Sequence, residues 1–233
     1  MIAVAGGKGG SGKTTTVVGL ARALARRGTA VVAADADWDL PNLARLAAET
    51  ADGAGAGAAP GRATGSDGPR SVVDSVREPT PLWPDRAAPT VLAAPSDPLS
   101  VDAASVLADL GDATPDDVPV LLDCPAGAAP DAAAPLRAAD RSLVVTRLRR
   151  AALRDAAKTA ALARRLGCPP VGTVAVGRAS APDAVATLLG CPVLGTVPDG
   201  GPEPLSDAAV RAAYDGLARR LIGTEAASAW RVT

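Results

Sequence analysis

Histidine and phenylalanine are both absent from this 233-residue sequence, and aromatic residues make up only 2% of it. The lack of histidine excludes Ser-His-Asp triads, histidine general bases and histidine metal sites. Because much of the 48% hydrophobic content is alanine, we expect helices that pack closely through small side chains, leucine and valine. A chain of this length can bury a large core, so we predict a single domain over residues 1–233.

Cysteine is scarce as well. Cys124, Cys168 and Cys191 are odd in number and have no Cys-x-x-Cys spacing, which argues against disulfide, zinc and iron–sulfur sites. We interpret them as reduced, mostly buried thiols of a cytoplasmic protein. We also expect no signal peptide, because the sequence opens directly into a strand pattern, and no membrane span, because no apolar run is long enough.

Net charge is small, at −1, so bulk charge does not attract nucleic acid or anionic membranes. The one local excess lies between Arg141 and Arg165, with eight basic residues and one acidic residue. On a helix, four of these residues form one stripe and a fifth precedes it: Arg150, Arg154, Lys158, Arg165 and Arg147. A solvated helix face and a surface for non-specific DNA both remain open as interpretations.

A glycine-rich segment near the N-terminus provides the clearest chemical signal. Residues 7–15 fit G-x-x-x-x-G-K-[ST] and lie between an apolar run and a helical pattern. The backbone N–H groups of such a loop form an anion cradle at a helix N-terminus. In this motif, Lys13 can contact the β- and γ-phosphates of a nucleotide, and the Thr14 hydroxyl can coordinate Mg²⁺. The predicted phosphate-binding residues are Gly7, Lys8, Gly9, Gly10, Ser11, Gly12, Lys13, Thr14 and Thr15.

Carboxylates follow two of the apolar runs. Asp35 and Asp37 come directly after one run, and Asp123 ends another. In open α/β sheets, ligands bind outside the carboxyl ends of the strands, where these side chains would lie. An aspartate at such a strand end can hold Mg²⁺ through water. We interpret Asp39, slightly further along, as a helix N-cap or first-turn charge.

Strand and helix patterns alternate along the chain, which predicts a three-layer α/β/α fold with a mostly parallel sheet covered on both faces. The predicted strands are 2–5, 30–34, 90–94, 118–123, 141–146, 170–176 and 192–197. The predicted helices include 17–24, 71–77, 100–110, 150–166 and 205–222. Residues 51–70 are low in complexity and are predicted to be a flexible insertion, and 224–233 to be a tail.

Two motifs make the sequence similar to a known family. Lys8 is a second lysine inside the loop Lys-Gly-Gly-x-Gly-Lys-Thr-Thr, and Asp123 opens the motif Asp-x-Pro-Ala-Gly, which ends at Gly127. Together they resemble the deviant Walker A P-loop ATPases of the MinD/ParA family. Residues 35–43 resemble the switch segment of that family, with Asp39 in place of the usual glycine. The resemblance covers nearly the whole chain outside residues 51–70 and the tail.

The resemblance implies roles for individual residues. Asp35 would support the Mg²⁺ shell formed with Thr14 and Asp123, and Asp37 would orient or deprotonate the attacking water. Gly127 would direct its N–H toward the γ-phosphate. Arg178 would lie on the base side, next to Gly177, where family members usually place an adenine-reading asparagine. The preference for ATP over GTP therefore rests on the resemblance alone.

The resemblance also implies a function: slow hydrolysis of ATP with Mg²⁺ as a conformational switch in the positioning or partitioning of cellular cargo. Two subunits would sandwich two ATP molecules, with Lys8 contacting the nucleotide of the partner subunit. The activator and cargo are unknown, and MinD-like and ParA-like roles are not separated. The alternatives are a nucleotide-binding scaffold with little turnover and a carboxylate-activating biosynthetic ATPase, whose relatives lack a lysine equivalent to Lys8. The C-terminus has too little apolar area or positive charge for membrane anchoring.

Overall fold

The computed structural model describes residues 1–50, 69–78, 86–127 and 132–223. Most of the predicted insertion and all of the predicted tail lie outside these residues. The described residues form seven strands, β1 to β7: Ile2–Gly6, Val32–Asp35, Thr90–Leu92, Val120–Ala126, Arg141–Arg147, Pro170–Val176 and Val193–Val197. They build one sheet in the order β3-β2-β4-β1-β5-β6-β7, and every neighbouring pair is parallel. The predicted strands and the parallel sheet are confirmed.

Eight α-helices, α1 to α8, connect or follow the strands in this part of the chain: Lys13–Ala25, Leu43–Glu49, Val72–Arg77, Ala103–Ala113, Ala133–Ala138, Arg150–Arg165, Ala184–Leu189 and Ala208–Gly223. The five predicted helices are confirmed as α1, α3, α4, α6 and α8. The sequence pattern did not predict α5 and α7. Each has only six residues and no side-chain N-cap, whereas α3, which is equally short, begins with a capping box formed by Ser71 and Asp74.

Helices cover both faces of the sheet, as predicted. Ile2 and Val4 of β1 point to the face that α1 and α8 cover, whereas Ala3 and Ala5 point to the face that α3 and α4 cover. All five residues of β1 are buried, which explains its uninterrupted apolar sequence. Because β1 lies at the centre of the sheet, the loop that follows it is held on a rigid support.

α1 and α8 pack closely through a small residue. A Cβ on Gly19 would lie 2.4 Å from the ring of Tyr214, so only glycine leaves room for that ring. Tyr214 is 1% exposed, and its hydroxyl lies 3.4 Å from the Thr16 hydroxyl, one turn into the helix that follows the glycine-rich loop. The expectation that small residues allow close packing is confirmed at this position.

The three cysteines are free and buried. Burial raises the pKa of the Cys168 thiol to about 12 and that of Cys124 well above its ordinary value, so both remain protonated and unreactive. None of the helices in the described ranges is long and apolar enough to cross a membrane.

Candidate functional site

The glycine-rich loop joins β1 to α1 at the carboxyl edge of the sheet. Gly10 and Gly12 have φ angles of 72° and 94°, a region that glycine adopts readily and other residues rarely adopt. α1 begins at Lys13, with no side-chain cap and no acidic residue in its first turn, which also contains Thr14 and Thr15. An uncapped helix N-terminus beside a glycine loop attracts an anion through its N–H groups.

Close contacts seat the loop against its neighbours. A Cβ on Gly6 would lie 2.7 Å from the Val145 carbonyl oxygen, and a Cβ on Gly7 would lie 2.3 Å from Asp155 Cβ. No side chain fits at either position without movement of the backbone. The loop is therefore held by β5 and α6 as well as by its own two flanking elements.

Asp123 lies on β4 beside this loop and is 2% exposed. Burial, above all, raises its pKa to about 7; the Thr14 hydrogen bond opposes the rise, Asp35 and Asp37 add to it, and Lys13 opposes it. Its Oδ1 atom is buried without a hydrogen-bond partner among the described residues. A buried carboxylate oxygen without a partner is costly unless a cation or another donor reaches it.

The residues at this point fit Mg²⁺. No group of three or more acidic, cysteine or histidine side chains within the described residues could hold a metal on its own. Mg²⁺ does not need such a cage, because it commonly binds one or two carboxylates together with water and substrate phosphates. Asp123 and the adjoining Thr14 hydroxyl offer hard oxygen ligands next to the anion cradle.

Asp35 lies beside Asp123, since the two residues are register partners on β2 and β4. Its Oδ1 accepts the Asp37 N–H at 3.1 Å, and its Oδ2 accepts the N–H groups of Asn42 and Leu43, both at 3.0 Å. Burial raises the pKa of Asp35, although these three hydrogen bonds oppose the rise. In this structure Asp35 thus organises the segment before α2, and its role in a metal shell stays a prediction.

The interpretation of Asp39 as an N-cap or first-turn charge is wrong. α2 begins at Leu43, its N-cap is Asn42, and Asp39 is exposed four residues before the helix. Pro41 explains the delay, because the residue before a proline is disfavoured in helical geometry. Asp35 instead accepts the N–H groups at the start of the helix, from a position that no local capping pattern reveals.

Asp37 is half-buried, and its Oδ1 accepts the Leu40 N–H at 3.3 Å. Its predicted role toward water stays a prediction. Gly127 has a φ angle of 91°, which glycine adopts readily, and its N–H donates to the Gly6 carbonyl at 3.0 Å. In this structure that N–H is engaged within the protein, so a contact with a γ-phosphate requires the bond to Gly6 to open.

The two lysines of the loop have different environments. Lys13 is 7% exposed, whereas the Lys8 side chain is 61% exposed and its Nζ lies 3.4 Å from Asp155 Oδ2. Lys158 approaches the other oxygen of Asp155 at 3.7 Å. Nothing in the sequence pointed to Asp155 as part of the site, because it is 147 residues away from Lys8 along the chain.

Arg147 also belongs to this region. Its Nε donates to the Gly10 carbonyl at 3.2 Å, and its Nη1 would lie 3.3 Å from a Cβ on Gly177 at the end of β6. The Arg147 guanidinium thus contacts the loop, and its contribution to a DNA-binding surface stays a prediction. This contact has no local signal in the sequence, because only the pairing of β5 with β1 in the folded sheet brings Arg147 to the loop.

A cavity of about 340 Å³ lies between the loop and the turn from β5 to α6. The described residues that line it are Gly7, Lys8, Gly9, Gly10, Ser11, Val145, Thr146, Arg147, Arg149, Ala151 and Ala152. None of these is acidic and three are basic. The Ser11 hydroxyl is buried without a hydrogen-bond partner among the described residues. Arg178, predicted on the base side, is exposed just after β6.

The rest of the basic stripe lies on the outer face of α6. Its four residues Arg150, Arg154, Lys158 and Arg165 are exposed, and the opposite face buries Ala156, Ala160 and Ala163. The predicted two-faced helix is confirmed. Among the described residues, the contact of Lys158 with Asp155 is the only ion pair that this charged face forms.

The solved structures that resemble this chain share its fold. The cell division ATPase MinD of Pyrococcus furiosus superposes with a TM-score of 0.74 at 22% identity, covering 95% of this chain and 98% of that chain. MinD of Pyrococcus horikoshii, solved with Mg-ADP, gives 0.70 at 20% identity over 94% of both chains. A ParA family ATPase of Chlorobium tepidum gives 0.62 at 15% identity, over 99% of this chain and 98% of that chain.

Sequence comparison extends this likeness from fold to family. Comparison with curated proteins finds no match. Residues 2–200 nevertheless match the family model of the CobQ/CobB/MinD/ParA nucleotide binding domain, which spans the loop, both carboxylate segments and β7. The chain therefore belongs to the MinD/ParA family of nucleotide-binding proteins.

Proposed function

We propose that this protein binds ATP with Mg²⁺, hydrolyses it slowly, and uses the nucleotide state as a switch that controls dimerisation. The observation that carries the proposal is the buried Asp123 oxygen without a partner, next to Thr14 at the start of α1. A bound Mg²⁺ would neutralise charge on the β- and γ-phosphates. Since phosphoryl transfer to water depends mostly on positioning and charge neutralisation, this arrangement suits hydrolysis.

The loop and the neighbouring carboxylates would each contact a different part of the bound nucleotide and metal. The N–H groups of the loop would bind the phosphates, and the buried Lys13 supplies a positive charge at the N-terminus of α1. Asp123 and Thr14 would hold the metal. Asp37, which is half-buried and only two residues beyond the end of β2, would orient the attacking water.

Lys8 supplies the link to dimerisation. An ion pair as exposed as that with Asp155 is worth about 0–1 kcal/mol, so a partner subunit can displace it at little cost. The freed ammonium group would then contact the nucleotide of the partner. The ATP-bound protein would be the dimer, and hydrolysis would return it to monomers. This cycle would serve the positioning or partitioning of cellular cargo. The three buried free thiols support a cytoplasmic location.

Two other functions, a carboxylate-activating enzyme and a scaffold with little turnover, each agree with one observation. A carboxylate-activating enzyme fits the breadth of the matched family, but such enzymes lack the second lysine that this loop has at position 8. A scaffold with little turnover fits the engaged N–H of Gly127. The MinD and ParA likenesses in fold and the presence of Lys8 favour the switch ATPase.

Single-turnover hydrolysis of MgATP, measured with and without added DNA or lipid vesicles, tests the proposal. Release of phosphate from ATP alone, accelerated by a partner surface, is the expected result. Hydrolysis that requires a small carboxylic acid would favour the biosynthetic alternative. Tight ATP binding without phosphate release under any condition would favour the scaffold.

A further inference from the structure

The position of the proposed metal ligands indicates where the nucleoside half of a bound nucleotide would lie. Asp123 and Asp35 are on β4 and β2, to one side of β1 and its phosphate loop. A terminal phosphate with Mg²⁺ would lie on that side, and the base and ribose would then extend to the other side, across β5 and β6. The loop approaches β6 closely, since a Cβ on Gly12 would lie 3.4 Å from the Val176 side chain.

Arg147 occupies that side of the site. Its guanidinium bridges from the loop to the end of β6, with Nε bonded to the Gly10 carbonyl and Nη1 close to Gly177. Gly177 has a φ angle of 82° and no side chain, so the space above it is open to the guanidinium. No carboxylate in the described residues forms an ion pair with Arg147, and its two terminal amino groups remain available as donors.

The chemistry of a guanidinium discriminates between purines. It has donors only, in a planar fork that matches two neighbouring acceptors. Guanine presents two acceptors, O6 and N7, along one edge, whereas adenine presents the N7 acceptor beside the N6 amino donor. A fork of donors can therefore pair twice with guanine but only once with adenine.

We propose that Arg147 reads the base of the bound nucleotide and that this site accepts GTP at least as well as ATP. The inference rests on the proposed nucleotide function and deepens it by naming the residue that sets base preference. Its basis is the position of the Arg147 guanidinium, which is bonded to Gly10 and lies over Gly177, on the side of the loop away from Asp123 and Asp35.

Calorimetric titration of the full chain with MgATP and MgGTP tests this inference through the ratio of the two affinities. In Arg147→Gln, the side-chain amide can pair with adenine N6 and N7. We therefore expect the affinity for GTP to fall about tenfold relative to the affinity for ATP. Arg147→Lys keeps the charge but loses the fork, and we expect the same direction of change. Arg149→Gln, which removes a neighbouring charge from the same cavity, is the matched control and should leave the ratio unchanged.

Each other outcome has a clear meaning. Binding of ATP without binding of GTP, or an unchanged ratio in Arg147→Gln, overturns the role of Arg147 and leaves the proposed nucleotide function standing. An equal loss for both nucleotides in Arg147→Lys and Arg147→Gln means that Arg147 only supports the loop, and it also overturns the inference. Failure of the unsubstituted protein to bind either nucleotide overturns the proposed function itself.

Discussion

The Lys8 ammonium group lies 3.4 Å from Asp155 Oδ2, so the exposed lysine of the phosphate loop is paired with α6 of its own chain. A second contact joins the loop to α6, because Gly7 lies against the Asp155 backbone. Lys158, on α6 itself, also approaches the Asp155 carboxylate. Close packing at Gly7 fixes the loop whether or not the ion pair forms. The ion pair itself is free to exchange, which distinguishes Lys8 from the buried Lys13.

This contrast predicts different effects of removing the two lysines. We expect Lys13→Ala to abolish nucleotide binding, and Lys8→Ala to keep binding but lose ATP-dependent dimerisation. Calorimetry for affinity and sedimentation velocity with a non-hydrolysable ATP analogue would measure these effects. Asp37→Ala should bind nucleotide and lose turnover. An equal loss of ATP affinity in all three variants would contradict this division of roles.

The exposure of the Lys8–Asp155 pair also predicts a small effect on folding. Lys8→Ala should change the free energy of unfolding by less than about 1 kcal/mol, because exposed ion pairs contribute little. Chemical denaturation of the nucleotide-free protein would measure this change. A loss of several kcal/mol would mean that the pair is structural and not available for exchange.

Burial of Asp123 predicts a pH dependence of the metal-free protein. The raised pKa, about 7 against an ordinary value of 3.8, means that the folded state binds this proton more tightly than the unfolded state. Stability should therefore fall as the pH rises from about 4 to 7, by up to about 1.4 kcal/mol per pH unit. Denaturation in the presence of a chelator would show this slope.

Asp123→Asn should remove the contribution of Asp123 to that slope and leave the part that comes from Asp35, whose pKa burial also raises. The variant should be more stable than the unsubstituted metal-free protein at pH 8, because a neutral amide replaces a buried charge. The same variant should lose Mg²⁺-dependent nucleotide binding. Asp116→Asn, at an exposed position, is the matched control and should leave both properties unchanged. A destabilised Asp123→Asn protein at pH 8 would show that the carboxylate is compensated in the metal-free state.

The contact between α1 and α8 predicts opposite effects for two glycines. Gly19→Ala should destabilise the protein by roughly 1–3 kcal/mol, because its Cβ would meet the Tyr214 ring at 2.4 Å. Gly216→Ala, on α8, has only the flexible end of Arg219 within 4 Å and should gain up to about 1 kcal/mol from helix propensity. Thermal unfolding of the two variants would compare them, and equal melting temperatures would contradict the packing described.

These features differ in how well the sequence alone reveals them. The phosphate loop and the buried strands were predictable because their signals are local: glycine spacing, a Lys-Thr pair and short apolar runs. The short helices α5 and α7 lack such a signal. The contacts of Asp35 with Leu43, of Lys8 with Asp155 and of Arg147 with Gly10 were also hidden, since each joins residues that only the folded sheet brings together.

The outer face of α6 gives the last prediction. Arg150, Arg154, Lys158 and Arg165 form an exposed basic stripe, and α6 covers the face of the sheet opposite to α1 and α8. If this stripe binds DNA, binding should be independent of sequence, require ATP, and weaken steeply with salt, because each neutralised phosphate releases counterions.

Reversing Arg154 and Lys158 to glutamate should then abolish DNA binding and leave ATP affinity unchanged. Reversing the exposed Arg211 and Arg219 of α8 is the matched control, since it makes the same change in net charge on the other face of the protein. Fluorescence anisotropy with a labelled random-sequence duplex at several salt concentrations would compare both double variants. Equal losses of DNA affinity in the two double variants would mean that binding depends on net charge alone. If the unsubstituted protein binds no DNA with ATP at low salt, the outer face of α6 is a solvated helix face.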